Sequence, residues 1–149
     1  DQDIQSSIDP LTGCFTRTKL EQIDTSTYNT MVFIDLDGFK NINDKYGHRF
    51  GDQQLKEAAR LMNQYLRKED ILIRFGGDEF ILCFDSSSII DINTKMRLIR
   101  ARFENHFKQK ELYLSFSFGV SLIEEDINLS LESADKQMYI NKRKRKKNP

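Results

Sequence analysis

The chain has 149 residues, enough for one domain with its own buried core and too few for two full ones. Lys plus Arg total 23 and Asp plus Glu total 23, so the formal charge is zero, which by itself argues against a dedicated nucleic-acid binder. A hydrophobic fraction of 38% with 11 Phe and 5 Tyr excludes a disordered chain, and no apolar run approaches the ~20 residues of a membrane span. The charge is unevenly spread: residues 142–147 read Lys-Arg-Lys-Arg-Lys-Lys, leaving −6 for the rest of the chain.

Residues 1–8 are polar and read as the end of a linker, followed by a domain over 9–149 with a basic tail at 142–149. The pattern predicts a short helix over 17–23. Residues 30–36 (TMVFIDL) form a continuous apolar, β-rich run, the mark of a buried strand. A short helix is expected over 38–46 and a longer one over 52–66, with Leu55, Ala58, Leu61 and Met62 on one side. Two short apolar runs, 71–75 and 80–84, flank Gly76-Gly77-Asp78-Glu79, which is hairpin chemistry. Residues 91–107 read as a helix through Ile92, Met96, Ile99 and Phe103. A strand follows over 112–123. A closing helix spans 129 to about 145, with Ser130 as its N-cap. The order predicts an α+β, ferredoxin-like split βαβ fold, a central antiparallel sheet with flanking helices on one face and the first strand central. Cys14 and Cys83 lie far apart in no metal-type spacing and read as reduced thiols of a cytosolic protein.

Asp35 ends the first strand's apolar run and Asp37 follows two residues later. A carboxylate at the tip of a buried strand is costly unless it is paired or holds a cation. If the hairpin pairs beside that strand, Asp78 and Glu79 approach Asp35, and converging carboxylates suit magnesium and nucleotide phosphates. The competing reading makes Asp35 and Asp37 turn residues capping the next helix. Gly38-Phe39-Lys40 sits where the strand turns into a helix, a place where free N–H groups and the Lys40 charge can cradle a phosphate. The plain alternative there is an ordinary turn with an exposed lysine.

The heptad Arg74-Phe75-Gly76-Gly77-Asp78-Glu79-Phe80 resembles the signature of the GGDEF family of diguanylate cyclases. Asp9-Pro10-Leu11-Thr12-Gly13 resembles the family's opening motif. The block from Phe33 to His48, with Gly51-Asp52, resembles its second. Ser117-Phe118-Gly119-Val120 and Ala134-Asp135 with Met138-Tyr139 and Lys142 resemble the late strand and final helix. The resemblance implies a core similar to nucleotide cyclases and polymerase palms. It implies condensation of two GTP into cyclic di-GMP with pyrophosphate release, by a homodimer. Asp35, Asp78 and the Leu36 carbonyl would hold magnesium, two ions per active site, with manganese an alternative. Asp78 would accept the proton of the attacking 3′-hydroxyl, with Glu79 beside it, and Lys40 would stabilise charge on the phosphates. Gly38 and Phe39 would line the substrate site; Asn43 and Asp52 would read the guanine edge, with His48 in the same pocket. Asp52 can accept from guanine's paired donors, which adenine lacks, so GTP is favoured over ATP.

Arg67-Lys68-Glu69-Asp70 stands where the family carries its product-binding inhibitory site, so cyclic di-GMP is an expected partner at Arg67 and Asp70. Arg97 and Arg100 are candidates for a third inhibitory arginine. A charged helix-to-strand loop is the alternative. Two departures stand out. The opening motif continues Cys14-Phe15-Thr16-Arg17, with Thr16 in place of an amide. The triphosphate positions of the last helix are Lys142 and Lys146, where the second is usually arginine; lysine supplies charge without the bidentate fork. Arg143, Lys144, Arg145 and Lys147 read as solvated. The main rival function is a non-catalytic receptor for GTP or cyclic di-GMP; an RNA-binding module is disfavoured by the lack of an RNP-type pattern around Phe116 and Phe118, and no nucleic acid is expected. The family usually carries an N-terminal sensor domain, so a cytoplasmic domain of a longer, in some cases membrane-attached, parent is expected.

Overall fold

The computed structural model describes residues 7–147. After a 3₁₀ turn at Arg17–Gln22 come β1 (Tyr28–Asp37), α1 (Phe39–Tyr46), α2 (His48–Asn63), β2 (Ile71–Arg74), β3 (Glu79–Asp85), α3 (Ile89–Gln109), β4 (Ser115–Leu122) and α4 (Ile127–Lys147). The strands form one antiparallel sheet in the order β2-β3-β1-β4, the ferredoxin-like arrangement expected from the split βαβ pattern. β1 is central, as its unbroken apolar run requires: Met31, Val32, Phe33 and Ile34 are all 2% exposed or less.

Helices cover both faces of the sheet, not one. Val32, Ile34 and Leu36 pack with Leu55 and Met62 of α2 and with Met96 and Phe103 of α3. Met31 and Phe33 point the other way, towards Ala134 and Met138 of α4 and Leu20 of the 3₁₀ turn. A strand apolar on both sides needs cover on both sides, and α4 supplies the second layer. It lies close because of Gly119. A Cβ there would sit 2.1 Å from the Met138 nitrogen and 2.3 Å from the Ala134 carbonyl oxygen.

Some element boundaries differ from the sequence pattern. α4 starts at Ile127, where Asp126 Oδ1 accepts the Asn128 N–H at 3.0 Å. Ser130 is therefore inside the helix and not its cap. Its buried hydroxyl oxygen accepts the Glu124 N–H at 2.5 Å, tying the loop to the helix. α2 starts at His48, right after Gly47, whose φ of +91° lets the chain turn from α1 into α2 within one residue. Of the expected linker end, Ile8 pairs antiparallel with Phe15, and residues 1–6 lie outside the described residues. The basic run is helical through Lys147, and residues 148–149 lie outside the description. Cys14 and Cys83 are free and buried, and burial pushes the Cys83 thiol up to about 12. Among the described residues no helix is long and apolar enough to cross a membrane.

Candidate active site

The β2–β3 hairpin delivers its acids to β1 by register. Glu79 is the cross-strand partner of Asp35, and the Leu36 N–H donates to the Asp78 carbonyl at 3.0 Å. The tip is braced from behind. Arg74 donates to the Gly77 carbonyl at 2.9 Å and to Asp9 at 3.2 Å. Asp9 in turn accepts the Thr12 N–H at 2.8 Å and the Thr12 hydroxyl at 2.7 Å. Burial works against the Asp9 carboxylate, but the Thr12 hydrogen bonds and Arg74 outweigh it and hold its pKa below the usual range. The opening motif thus closes its turn despite Thr16 and Cys14, with Gly13 at φ +75° donating its N–H to the Asp9 carbonyl at 2.8 Å. Sequence reading missed this brace because nothing local links Asp9 to Arg74, which lie 65 residues apart.

The acids and several cations meet in one cavity of about 910 Å³, whose lining includes Asp35, Leu36, Asp37, Gly38, Asp78 and Glu79. Lys40, Lys142, Arg145 and Lys146 line it as well, with Tyr113 at the rim. Gly38 has φ +94°, and a Cβ there would meet the Tyr113 carbonyl at 2.8 Å, so only glycine fits between strand and helix. Burial pushes the Asp78 carboxyl up, and the Asp35 charge adds to the rise. Glu79 is raised by burial, then by Asp35 and Asp78. Both shifts record burial first and neighbouring negative charge second.

α4 answers part of that charge. Lys142 Nζ lies 2.5 Å from Asp35 Oδ2 and 3.2 Å from Asp37 Oδ1. Burial opposes the Lys142 charge, but the hydrogen bonds and charges of Asp35 and Asp37 outweigh it and hold its pKa above the usual lysine value. Arg145, read from sequence as solvated, is engaged. Its guanidinium donates to Asp37 at 3.0 Å, to the Phe116 carbonyl at 2.5 Å and to Glu104 at 3.2 Å, so it joins α4 to β1, β4 and α3. A helix turn in which every residue is basic carries no polar–apolar pattern from which its inward side could be read.

Four expected substrate residues lie outside this cavity's lining. The Phe39 ring is 9% exposed and belongs to the core, leaving its backbone for any substrate contact. Asn43 lies on α1 and His48 and Asp52 on α2, with His48 and Asp52 exposed. The Asn43 Oδ1 is buried without a hydrogen-bond partner, against Gly51, where a Cβ would collide with it. Arg67 and Asp70 border a second cavity of about 870 Å³. There Arg67 donates to Asp70 Oδ1 at 3.1 Å and to Asp85 Oδ1 at 2.8 Å. Arg97 and Arg100 line a third, of about 540 Å³, that includes Phe118 of β4 and Asn141 of α4.

Asp35, Leu36 and Asp78 line one cavity, and their carboxylate and carbonyl oxygens would be a hard-oxygen donor set. Among the described residues no three His, Cys, Asp or Glu side chains stand together to hold a metal unaided. Carboxylate and carbonyl oxygens suit magnesium, which takes one or two carboxylates and completes its octahedron with substrate phosphates and water.

The chain matches the family described as diguanylate cyclase, GGDEF domain, over residues 6–148. It is 34% identical over 119 residues to diguanylate cyclase A of Treponema denticola, covering 76% of this chain and 32% of that protein. It is 32% identical to diguanylate cyclase DgcP of Pseudomonas aeruginosa, covering 96% and 23%. It is also 32% identical to the cyclic di-GMP phosphodiesterase PdeR of Escherichia coli, covering 91% and 22%. The chain therefore spans a third or less of each of these three relatives. Among solved structures it superposes on the GGDEF domain of DgcB from Caulobacter crescentus in complex with c-di-GMP, with TM-score 0.82, 24% identity and coverage of 93% and 91%. It also resembles the diguanylate cyclase SiaD of Pseudomonas aeruginosa in complex with its activator SiaC, with TM-score 0.80, 25% identity and coverage of 96% and 61%.

Proposed function

The chain belongs to the GGDEF family, and from that membership we propose that it is a diguanylate cyclase, joining two GTP into cyclic di-GMP with release of two pyrophosphates. The observation that carries this reading is the convergence of Asp35, Asp78 and Glu79 with Lys40, Lys142 and Lys146 on one cavity. Acids and lysines lining one cavity suit a metal-bound triphosphate.

Asp35, Asp78 and the Leu36 carbonyl would hold the magnesium, with manganese able to replace it. Two ions per site, when bound, would supply Lewis-acid activation of the 3′-hydroxyl and charge neutralisation on the leaving pyrophosphate. The protein's own groups do the rest. Free N–H groups at the start of α1, after Gly38, orient the phosphates. Lys40, Lys142 and Lys146 offset the charge that builds on the leaving group. Asp78 would take the 3′-hydroxyl proton as oxygen attacks the α-phosphorus and the bond to pyrophosphate breaks. Asn43 and Asp52 read the guanine, with His48 beside them. Each domain supplies one GTP, so two copies face each other in the working enzyme. Cyclic di-GMP binding at Arg67 and Asp70 would slow turnover. A sensor domain in a longer parent would bring the two copies together.

The test is turnover of magnesium-GTP by the wild type and by Asp78→Ala, both free and fused to a dimerising coiled coil. Cyclic di-GMP from the wild-type fusion and none from the variant is expected; no product from either refutes the enzyme reading. The relative named as a phosphodiesterase favours one alternative, a non-catalytic domain that binds GTP or cyclic di-GMP and regulates a neighbour. Calorimetry with both nucleotides beside the same assay separates the two, since a receptor binds without turnover even after Arg67→Ala.

A further inference from the structure

The carboxylates of the cavity are unevenly paired. Asp37 is saturated: the Ser117 hydroxyl donates to it at 2.7 Å, Arg145 at 3.0 Å and Lys142 at 3.2 Å. Asp35 meets one cation, Lys142 at 2.5 Å. Among the described residues no cation stands within ion-pair distance of Asp78, which lines the same cavity as Asp35. One lysine thus carries the charge compensation of the strand-end acid, and it reaches there from 107 residues away.

The two cations on α4 differ in kind. Arg145 is locked by a planar fork whose donors go to a carboxylate, a backbone carbonyl and a second carboxylate on three other elements. Lys142 is a point charge on a flexible stem, able to swing without breaking a fixed geometry. One helical turn on, at the i+4 position of the same face, Lys146 lines the same cavity.

We propose that Lys142 is a stand-in cation. In the nucleotide-free protein it occupies the side of Asp35 that a divalent metal needs, and the metal displaces it towards the phosphates beside Lys146. The proposal rests on the metal reading of Asp35 given above. A divalent metal taking Asp35 Oδ2 would claim the oxygen that the Lys142 ammonium now holds at 2.5 Å. Two such charges do not share one carboxylate oxygen at low cost. Asp37 and Arg145 stay paired through the exchange, so α4 keeps its seat while the lysine moves. Metal and lysine are then alternatives at Asp35. Asp35 is paired before substrate arrives, and the lysine is released to the triphosphate when the metal comes in.

The experiment measures Mn²⁺ binding without nucleotide, by electron paramagnetic resonance, in the wild type, Lys142→Met and Lys146→Met. Lys146 is the control for plain charge, since it lines the same cavity and makes no pair with Asp35. Lys142→Met is expected to bind Mn²⁺ about tenfold tighter than wild type, the scale of losing one partly buried ion pair, and Lys146→Met to change less than about threefold. Equal tightening in both variants, or none in Lys142→Met, overturns the proposal. A second readout needs no variant. The Lys142 ammonium resonance should change on Mg²⁺ titration without nucleotide, and an unmoved resonance at metal saturation also overturns it. Asp35→Asn separates the two layers. If it leaves Mn²⁺ affinity unchanged, Asp35 is not a ligand and the metal reading itself falls, whatever the lysine does.

Discussion

Replacing Gly119 by alanine tests how the fold sets the active site. The new methyl group would stand 2.1 Å from the Met138 nitrogen and 2.3 Å from the Ala134 carbonyl oxygen. Both are backbone atoms of α4, so no side-chain rotation relieves them. Reaching ordinary contact near 3.4 Å requires α4 to retreat by about 1.3 Å. Ala134, 0% exposed, and Met138, 5% exposed, would then lose their packing on Met31 and Phe33. Overpacking of this kind costs about 1–3 kcal/mol, and with backbone on both sides of the clash about 3 kcal/mol is expected. For a domain of this size that lowers Tm by roughly 6–12 °C. Urea unfolding followed by circular dichroism gives the stability. The same variant, assayed well below its midpoint, should also lose turnover, because Lys142 and Lys146 ride on α4. A loss under about 1 kcal/mol would refute the close seating of α4 on β4. Full stability loss with unchanged turnover would refute its link to the site.

Arg145→Ala should cost about 2 kcal/mol in the same urea measurement, the range for hydrogen bonds to charged groups, while the exposed neighbour Arg143→Ala stays within about 0.5 kcal/mol. Asp78→Asn should raise the urea midpoint at neutral pH. Burial and Asp35 raise the folded carboxyl above its unfolded value, so the folded state binds more protons and stability falls as pH climbs from the unfolded towards the folded pKa. The variant should lack that fall, and an unchanged stability–pH profile contradicts the assignment. Arg67→Ala should relieve inhibition by cyclic di-GMP in the turnover assay. It should also destabilise the domain by about 1–3 kcal/mol, because the Asp70 side chain, 0% exposed, loses its guanidinium partner. Asp52→Ala should narrow the preference for GTP over ATP, measured as the ratio of kcat/KM, by an order of magnitude or more.

Much of this protein follows from local pattern. The unbroken run before Asp35 makes a central strand, because a segment apolar on both sides has nowhere else to go. The Gly-Gly turn makes the hairpin, and antiparallel pairing then carries Asp78 and Glu79 to Asp35. Those acids were legible because strand pairing converts sequence distance into position by a simple rule. The tertiary structure alone decided what lies across from them. That Lys142 and Arg145 both face the carboxylates depends on the rotation of α4 about its axis. That rotation is set by the notch at Gly119 and by burial of Ala134 and Met138, not by anything within the basic run. The Arg74–Asp9 brace and the Arg145 bond to Glu104 are of the same kind. Each joins residues that become neighbours only once the layers have packed, and the partners' chemistry carries no mark of the meeting before it happens.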